Sequence, residues 1–538
     1  MSSRRMGWLV KLGRPHLSKG SGRSVQGGSV RRRAAPGRRR AAAATLLGSG
    51  ASTFIAIAQA VILIPLSLHY LGPRVYGAWL ACAELLVWAQ LLDLGLPNLL
   101  TQKAGAAFGA GDGRGVAAWF TAGFATLSGL AVAVAALAVA VAPLVAEWAG
   151  LGGGEAELLA GAFRAGVLAS AVLLVSNAVV GLARALQRTG WVNLVSVGAA
   201  LVGFGVAVVL LIDGWGVWAL AMGFVARAAV VLAGFLGFMV LRVPRLVPSL
   251  WRLGSTELRE TLALAPALAG ANVGYLMMNH TDIPLVATFF GPQVAAVYAL
   301  TRKAAEALRG LLDTFGYAAY GGFAHLVASG DRLRSRAVLS ELTSLRLAAA
   351  CVAAGCYLAV NEAFVGLLFG SEYFGGLGLT AAFAALLVVG GHSFLFNYLY
   401  RAAGAVRAGS NLLFQESLAK VAAMGVGLVT LGLAGAPAMA AVVSAVFVWL
   451  NRKLLLALLP RAAEASRGWP RWPLPAAVLA AGLAVGRIGI EPSWIALGLT
   501  LAVLGLLGGL GVAAADSRLR LLLHRGWTLW FGPGTAGG

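Results

Sequence analysis

Charge is what this chain has least of. Only 12% of its 538 residues are Asp, Glu, Lys or Arg, against about 25% in a soluble globular domain. Acidic residues are the scarcer kind: 20 Asp and Glu against 42 Lys and Arg. The three cysteines, Cys82, Cys351 and Cys356, all fall inside apolar segments. They read as small core residues, which leaves no disulfide framework. No Cys/His cluster offers a metal site, and neither a P-loop nor a dinucleotide fingerprint is present, so no metal or cofactor is expected.

Apolar length is what the chain has in abundance. The stretches Trp119–Ala146, Thr189–Ile212 and Pro492–Ala515 contain no charge. Each exceeds the roughly 20 residues that cross a bilayer. The chain therefore reads as an all-α polytopic membrane protein. Its 72 glycines and many alanines suit close approach of membrane helices.

The sequence also repeats itself. Ile64-Pro65-Leu66, then Gly72-Pro73 and Val75, recurs as Ile283-Pro284-Leu285, Gly291-Pro292 and Val294, about 219 residues later. Leu91-Leu92-Asp93 with Gly95 recurs, one residue out of step, as Leu311-Leu312-Asp313 with Gly316. Repeats of this length indicate a duplicated helix bundle. In such architectures sites lie between the halves.

Hydropathy marks about fourteen transmembrane helices, near 44–68, 77–97, 118–143, 159–182, 191–212, 215–240, 262–288, 294–322, 345–369, 376–400, 411–433, 437–458, 473–489 and 493–514. Loop charges support this count. With a basic N-terminal tail inside, alternate loops collect the Arg and Lys, among them Arg184 and Arg188, Arg332 to Arg346, and Arg452 with Lys453. The opposite loops hold only Arg74 and Arg487. Most of the +22 net charge is thus a topology signal and not a nucleic-acid footprint.

The expected organisation is a basic disordered tail (1–42), an N-lobe of six helices (43–245), an interfacial connector (246–260), a C-lobe of six helices (261–460), and two extra helices with a tail (461–538). Six helices per half make the repeats parallel, so two six-helix lobes should flank a central cavity.

Ionisable residues inside the spans are the candidate site, because each costs about 2.5–3.5 kcal/mol at mid-bilayer and needs a cavity or a partner. Helix 8 carries Arg302, Lys303, Glu306, Arg309 and Asp313. Positions 302, 306, 309 and 313 fall within an arc of about 60°. Two arrangements fit: a stripe neutralised against a neighbouring helix, or one lining water. Helix 7 adds Asn272, Tyr275, Asn279 and Asp282 on one face, with His280 pointing elsewhere. Asp282 needs a counter-charge, and Arg302 or Lys303 can supply it. Arg164 and Arg227 either meet Glu84 and Asp93 across the N-lobe or leave positive potential. Glu416 and Lys420 read as an i,i+4 pair. Asp93 and Asp313 are expected near helix ends.

Tyr70-Leu71-Gly72-Pro73-Arg74-Val75-Tyr76-Gly77-Ala78-Trp79, followed by Leu91 to Asn98 and by Gly111-Asp112, resembles bacterial oligosaccharide flippases. These form the polysaccharide-transport branch of the multidrug/oligosaccharidyl-lipid/polysaccharide exporter superfamily. Asp282 with Phe290-Gly291 and Tyr298 is similar to the same family. The resemblance covers the twelve-helix core. It implies alternating access and no enzymatic activity. It also implies flipping of an undecaprenyl-pyrophosphate-linked oligosaccharide across the cytoplasmic membrane, for O-antigen, capsule or exopolysaccharide assembly. The implied partners are that lipid-linked glycan, membrane lipids and a polysaccharide polymerase or export machinery. Cationic cavity positions in this reading are Arg164, Arg227, Arg302, Lys303, Arg309 and Lys420, and the ion-coupling candidates are Asp282 and Glu306. A lipid II flippase and a cation-coupled multidrug exporter are the alternatives within the superfamily. A glycan-modifying enzyme would need a large outer loop, and the longest here is about 15 residues.

Overall fold

The computed structural model describes residues 36–93, 95–243, 255–328, 332–458, 473–490 and 492–515. Expectations for the N-terminal tail up to residue 35, the connector at 246–254 and the C-terminal tail fall outside these residues. Every regular element among them is helical. We number the α-helices α1 Pro36–Leu91, α2 Leu96–Gly109, α3 Gly113–Trp148, α4 Gly153–Ala185, α5 Thr189–Ile212, α6 Val217–Arg242, α7 Ser255–His280, α8 Asp282–Phe290, α9 Pro292–Ala328, α10 Arg332–Leu368, α11 Gly376–Gly390, α12 His392–Ala402, α13 Val406–Leu431, α14 Gly435–Leu458, α15 Pro473–Ile488 and α16 Trp494–Ala515.

Several of these are halves of one pass. The first helix is two passes joined at Gly72, whose φ of 70° and ψ of 165° are not helical. After Leu91 the second pass resumes as α2. In the same way α7 continues as α8, and α11 as α12. Counting joined halves once gives fourteen passes. Two starts differ from expectation: α1 begins at Pro36, inside the supposed tail, and α7 begins at Ser255, inside the supposed connector.

The repeat has a backbone cause. Gly72 and Gly291 share one conformation, φ 70° and ψ 165° against φ 84° and ψ 169°. Side chains with a Cβ are excluded from that region. Pro73 and Pro292 follow, each opening a helix where its missing N–H costs nothing. A Gly-Pro corner thus turns the chain between the first two passes of each lobe.

The N-lobe packs α1 to α6, and the C-lobe packs α7 to α14. The N-lobe cores are Ala- and Leu-rich clusters around Leu159, Phe163 and Leu211, and around Phe120, Leu182 and Phe238. The lobes meet where α1 runs along α8 and α9, and where α3 meets α7. At one end of this seam Gly77 lies against the backbone of Pro292, where a methyl group would overlap the Pro292 carbonyl. Trp148 donates there to Thr288 at 2.8 Å. At the other end Lys103 pairs with Glu260 at 2.5 Å. Helices α15 and α16 lie outside both lobes against α10, with Gly482 seated on Gly355 and Gly508 against Val352.

Replacing Gly291 with Ala forces a Cβ into the excluded region at a cost of about 1–3 kcal/mol. Gly291→Ala should therefore lower the melting temperature of the detergent-purified protein, while Gly129→Ala, where a Cβ meets open space, should leave it within a degree or two.

Candidate functional site

The charged stripe of α9 sits on the seam. Its centre is Arg302, a residue 91% buried. Arg302 Nη1 donates to both oxygens of Asp282, at 2.5 and 2.6 Å. Its Nη2 reaches across the seam to Glu84 Oε1 at 3.1 Å. The other oxygen of Glu84 lies 2.5 Å from His280 Nδ1. Tyr298 donates to Asp282 at 3.2 Å. Five side chains from α1, α7, α8 and α9 therefore share one buried hub.

Pro284 explains why the hub forms where it does. It is the third residue of α8 and has no N–H, so the carbonyl of His280, four residues back, has no helical donor. The chain breaks at Thr281 between α7 and α8. Trp88 Nε1, from the N-lobe, donates to the freed His280 carbonyl at 3.1 Å. Glu84 stands one turn before Trp88 on α1, so both reach the break together. The break also turns His280 towards the seam, contrary to the straight-helix expectation that it points elsewhere.

Beyond the hub, Lys303 pairs with Glu306 at 3.1 Å, and their side chains are 40% and 33% exposed. Arg309 Nη1 donates to Asn279 at 2.6 Å. Among the described residues Arg309 has no carboxylate within ion-pair distance. Asp313 pairs with Arg346 at 3.0 Å. This corrects two expectations. Asp313 lies inside α9 and not at a helix end, and Arg346 belongs to no loop: it is buried about four turns into α10. Gly391, at the break between α11 and α12, makes room for the Arg346 guanidinium. On α13 Lys420 and Glu416 pair at 2.7 Å and are almost wholly buried, as the spacing suggested.

A cavity of about 60 Å³ lies within the C-lobe against Arg302, Glu306, Arg309 and Lys420. It has room for a few waters. Of the expected site residues, the structure gathers Asp282, Arg302, Glu306, Arg309 and Lys420 around this space, with Lys303 beside them.

Arg164 and Arg227 are elsewhere, exposed on α4 and α6. They do not meet the N-lobe acids. Glu84 is engaged with the C-lobe, and Asp93 accepts from Gly95 N, Asn177 and Asn272 at 2.9, 3.3 and 3.0 Å. Among the described residues neither arginine has an ion pair, so both leave positive charge on mid-helix faces. Sequence reasoning missed Glu84, Trp88 and His280 as a unit, and it missed Arg346. The signal available was Pro284, whose lost donor requires a partner for the His280 carbonyl.

A duplicated bundle of fourteen passes with a charged seam is the architecture of a polytopic membrane protein. The fold is similar to an inward-facing multidrug resistance MATE family transporter of the MOP superfamily, with TM-score 0.62 and 15% identity over 75% of this chain and 96% of that one. The eukaryotic MATE transporter AtDTX14 is similar at TM-score 0.58 and 13% identity, over 79% and 100% of the two chains. So is a MOP superfamily transporter from Pyrococcus furiosus Vc1, described by a binding pocket of reversed polarity that suggests a different function. It has TM-score 0.54 and 16% identity, over 79% and 96%. At these identities the likeness concerns the fold. No curated protein matches the chain by sequence. The sequence model of the family described as polysaccharide biosynthesis protein matches residues 80–375. That is more than half of the chain, which belongs to this family.

Removing one member of a buried pair leaves its partner uncompensated, at about 3–5 kcal/mol. Asp313→Asn should destabilise the protein by that order in detergent unfolding. Lys303→Gln, at the exposed edge of the same stripe, should cost under about 1 kcal/mol.

Proposed function

We propose that this chain moves an undecaprenyl-pyrophosphate-linked oligosaccharide from the inner to the outer leaflet of the cytoplasmic membrane by alternating access. The glycan would then feed O-antigen, capsule or exopolysaccharide assembly, with a polymerase or export machinery as the downstream partner. The termini and the basic loops lie on the cytoplasmic side in this reading.

The observation that carries the proposal is the set of cations without carboxylates. Arg164, Arg227 and Arg309 have no ion pair among the described residues, although all three stand well inside helices. A cation-exporting pocket would require the opposite sign. A pyrophosphate diester is dianionic and cannot cross hydrocarbon alone, and guanidinium forks suit its oxygens. Moving each negative charge outward across an inside-negative membrane gains about 2.3 kcal/mol per 100 mV. The membrane potential therefore assists export. Asp282 and Glu306 are the groups through which an ion can be coupled, and Glu306 is the more accessible of the two. The polysaccharide biosynthesis family and the transporter fold support the same direction.

Deletion of the gene should cause a glycan on undecaprenyl pyrophosphate to accumulate at the inner leaflet, and mass spectrometry of the lipid fraction identifies it. Accumulation of the lipid-linked peptidoglycan precursor instead would assign the lipid II reading. Arg309→Ala should lower export roughly tenfold, the loss of about one charge-assisted hydrogen bond, with membrane insertion unchanged. Unaltered export in Arg309→Ala and in Arg164→Ala/Arg227→Ala would refute the cation assignment.

A further inference from the structure

We infer that Glu84 is a built-in competitor for the anionic headgroup: it occupies Arg302 while the lobes are docked and vacates it for a phosphate when they part. The inference rests on the proposed anionic cargo and adds to it a gated subsite and the residue that gates it.

The geometry of Arg302 is the starting point. Its Nη1 is saturated by Asp282. The opposite edge of the guanidinium, Nε with Nη2, is the side-on fork that takes two oxygens of a carboxylate or phosphate. Glu84 fills that edge with one hydrogen-bonded oxygen, at Nη2, because its second oxygen is turned to His280, while Glu306 stands off the same Nη2 at 3.9 Å, beyond hydrogen-bond length. The Nε of Arg302 is buried and has no hydrogen-bond partner among the described residues. A buried fork holding a single oxygen is an incomplete anion site. A phosphate placed there satisfies both donors, and Arg309 stands two turns further along the same face of α9, on the same cavity.

The occupant comes from the other lobe. Glu84 is the N-lobe carboxylate on the seam that touches the hub, and in the repeat register of 219 residues its counterpart on α9 is Lys303. Its hold depends on docking, since Trp88 secures the same stretch of α1 to the α7–α8 break through the His280 carbonyl. Separating the lobes therefore removes Glu84 from Arg302 and Trp88 from His280 in one movement. Asp282 and Glu306 stay with Arg302, being on the same lobe. The C-lobe loses one neighbouring negative charge just as the seam opens. Docking and headgroup binding are then mutually exclusive at Arg302, and a transporter without cargo is held shut by its own carboxylate.

The test measures binding of inorganic pyrophosphate to the full-length protein in detergent by quenching of tryptophan fluorescence, with inter-lobe distances from spin labels at Asn98 and Arg259 as an independent readout. Glu84→Gln should bind pyrophosphate about tenfold more tightly than the wild type, since a charge-assisted contact no longer competes. Glu84→Gln/Arg302→Gln should lose that gain. Glu84→Asp, which keeps the charge, should stay within about threefold of the wild type. In Glu84→Gln the distance distribution should shift towards the separated lobes without added pyrophosphate. Unchanged or weaker pyrophosphate binding in folded Glu84→Gln overturns the inference, and so does a gain that survives loss of Arg302. If the gain appears but deletion of the gene leaves no lipid-linked glycan accumulated, the gate stands and the proposed cargo fails. If glycan accumulates and the gain is absent, the cargo stands and the gate fails.

Discussion

One buried guanidinium organises this protein. An arginine taken out of water in an apolar bundle must be compensated at close range, because the effective desolvation penalty is several kcal/mol per ion. Arg302 meets that demand with Asp282 and, at 3.9 Å, Glu306 from its own lobe, and with Glu84 from the other. The last of these ties the two halves together. Much of the seam follows from it: the orientation of His280, the placement of Trp88 and the break after α7 all bring Glu84 within reach.

The duplication supplied the frame and its divergence supplied the chemistry. Both lobes keep the Gly-Pro corner, since its backbone conformation excludes any other residue at Gly72 and Gly291. They do not keep the charges. In the repeat register Arg302 stands opposite Ala83, Asp282 opposite Leu63 and His280 opposite Val61. Glu84, Asp282, Glu306, Asp313 and Glu416 pair with Arg302, Lys303, Arg346 and Lys420 in and around the C-lobe, and Arg309 is held by Asn279 instead. In the N-lobe Arg164 and Arg227 have no ion pair among the described residues. Among the described residues the C-lobe thus holds the paired ionic network, and the N-lobe holds two arginines outside it.

The fold was largely legible in the sequence. Fourteen passes follow from apolar runs and loop charges, since a bilayer imposes both. The stripe on α9 was legible too, because α9 is one uninterrupted helix over Arg302 to Asp313 and spacing projects faithfully along it. Spacing failed where the helix was not uniform. A projection from Asn272 to Asp282 assumes a constant turn per residue, and Pro284 breaks the helix at Thr281, so His280 was placed on the wrong side. Arg346 was read as a loop charge because α10 begins earlier than hydropathy alone suggests, at Arg332, the first turns being polar. Pairing across the seam, Glu84 with Arg302, is 218 positions distant in the chain and leaves no periodic trace.

The additional pair α15 and α16 has a mechanical consequence. It sheathes α10, whereas α3, the counterpart of α10 in the other half, presents Val132, Leu137 and Leu144 directly outward. Annular lipid therefore grips the two halves unequally, one through bare side chains and one through a fitted sleeve seated glycine on glycine.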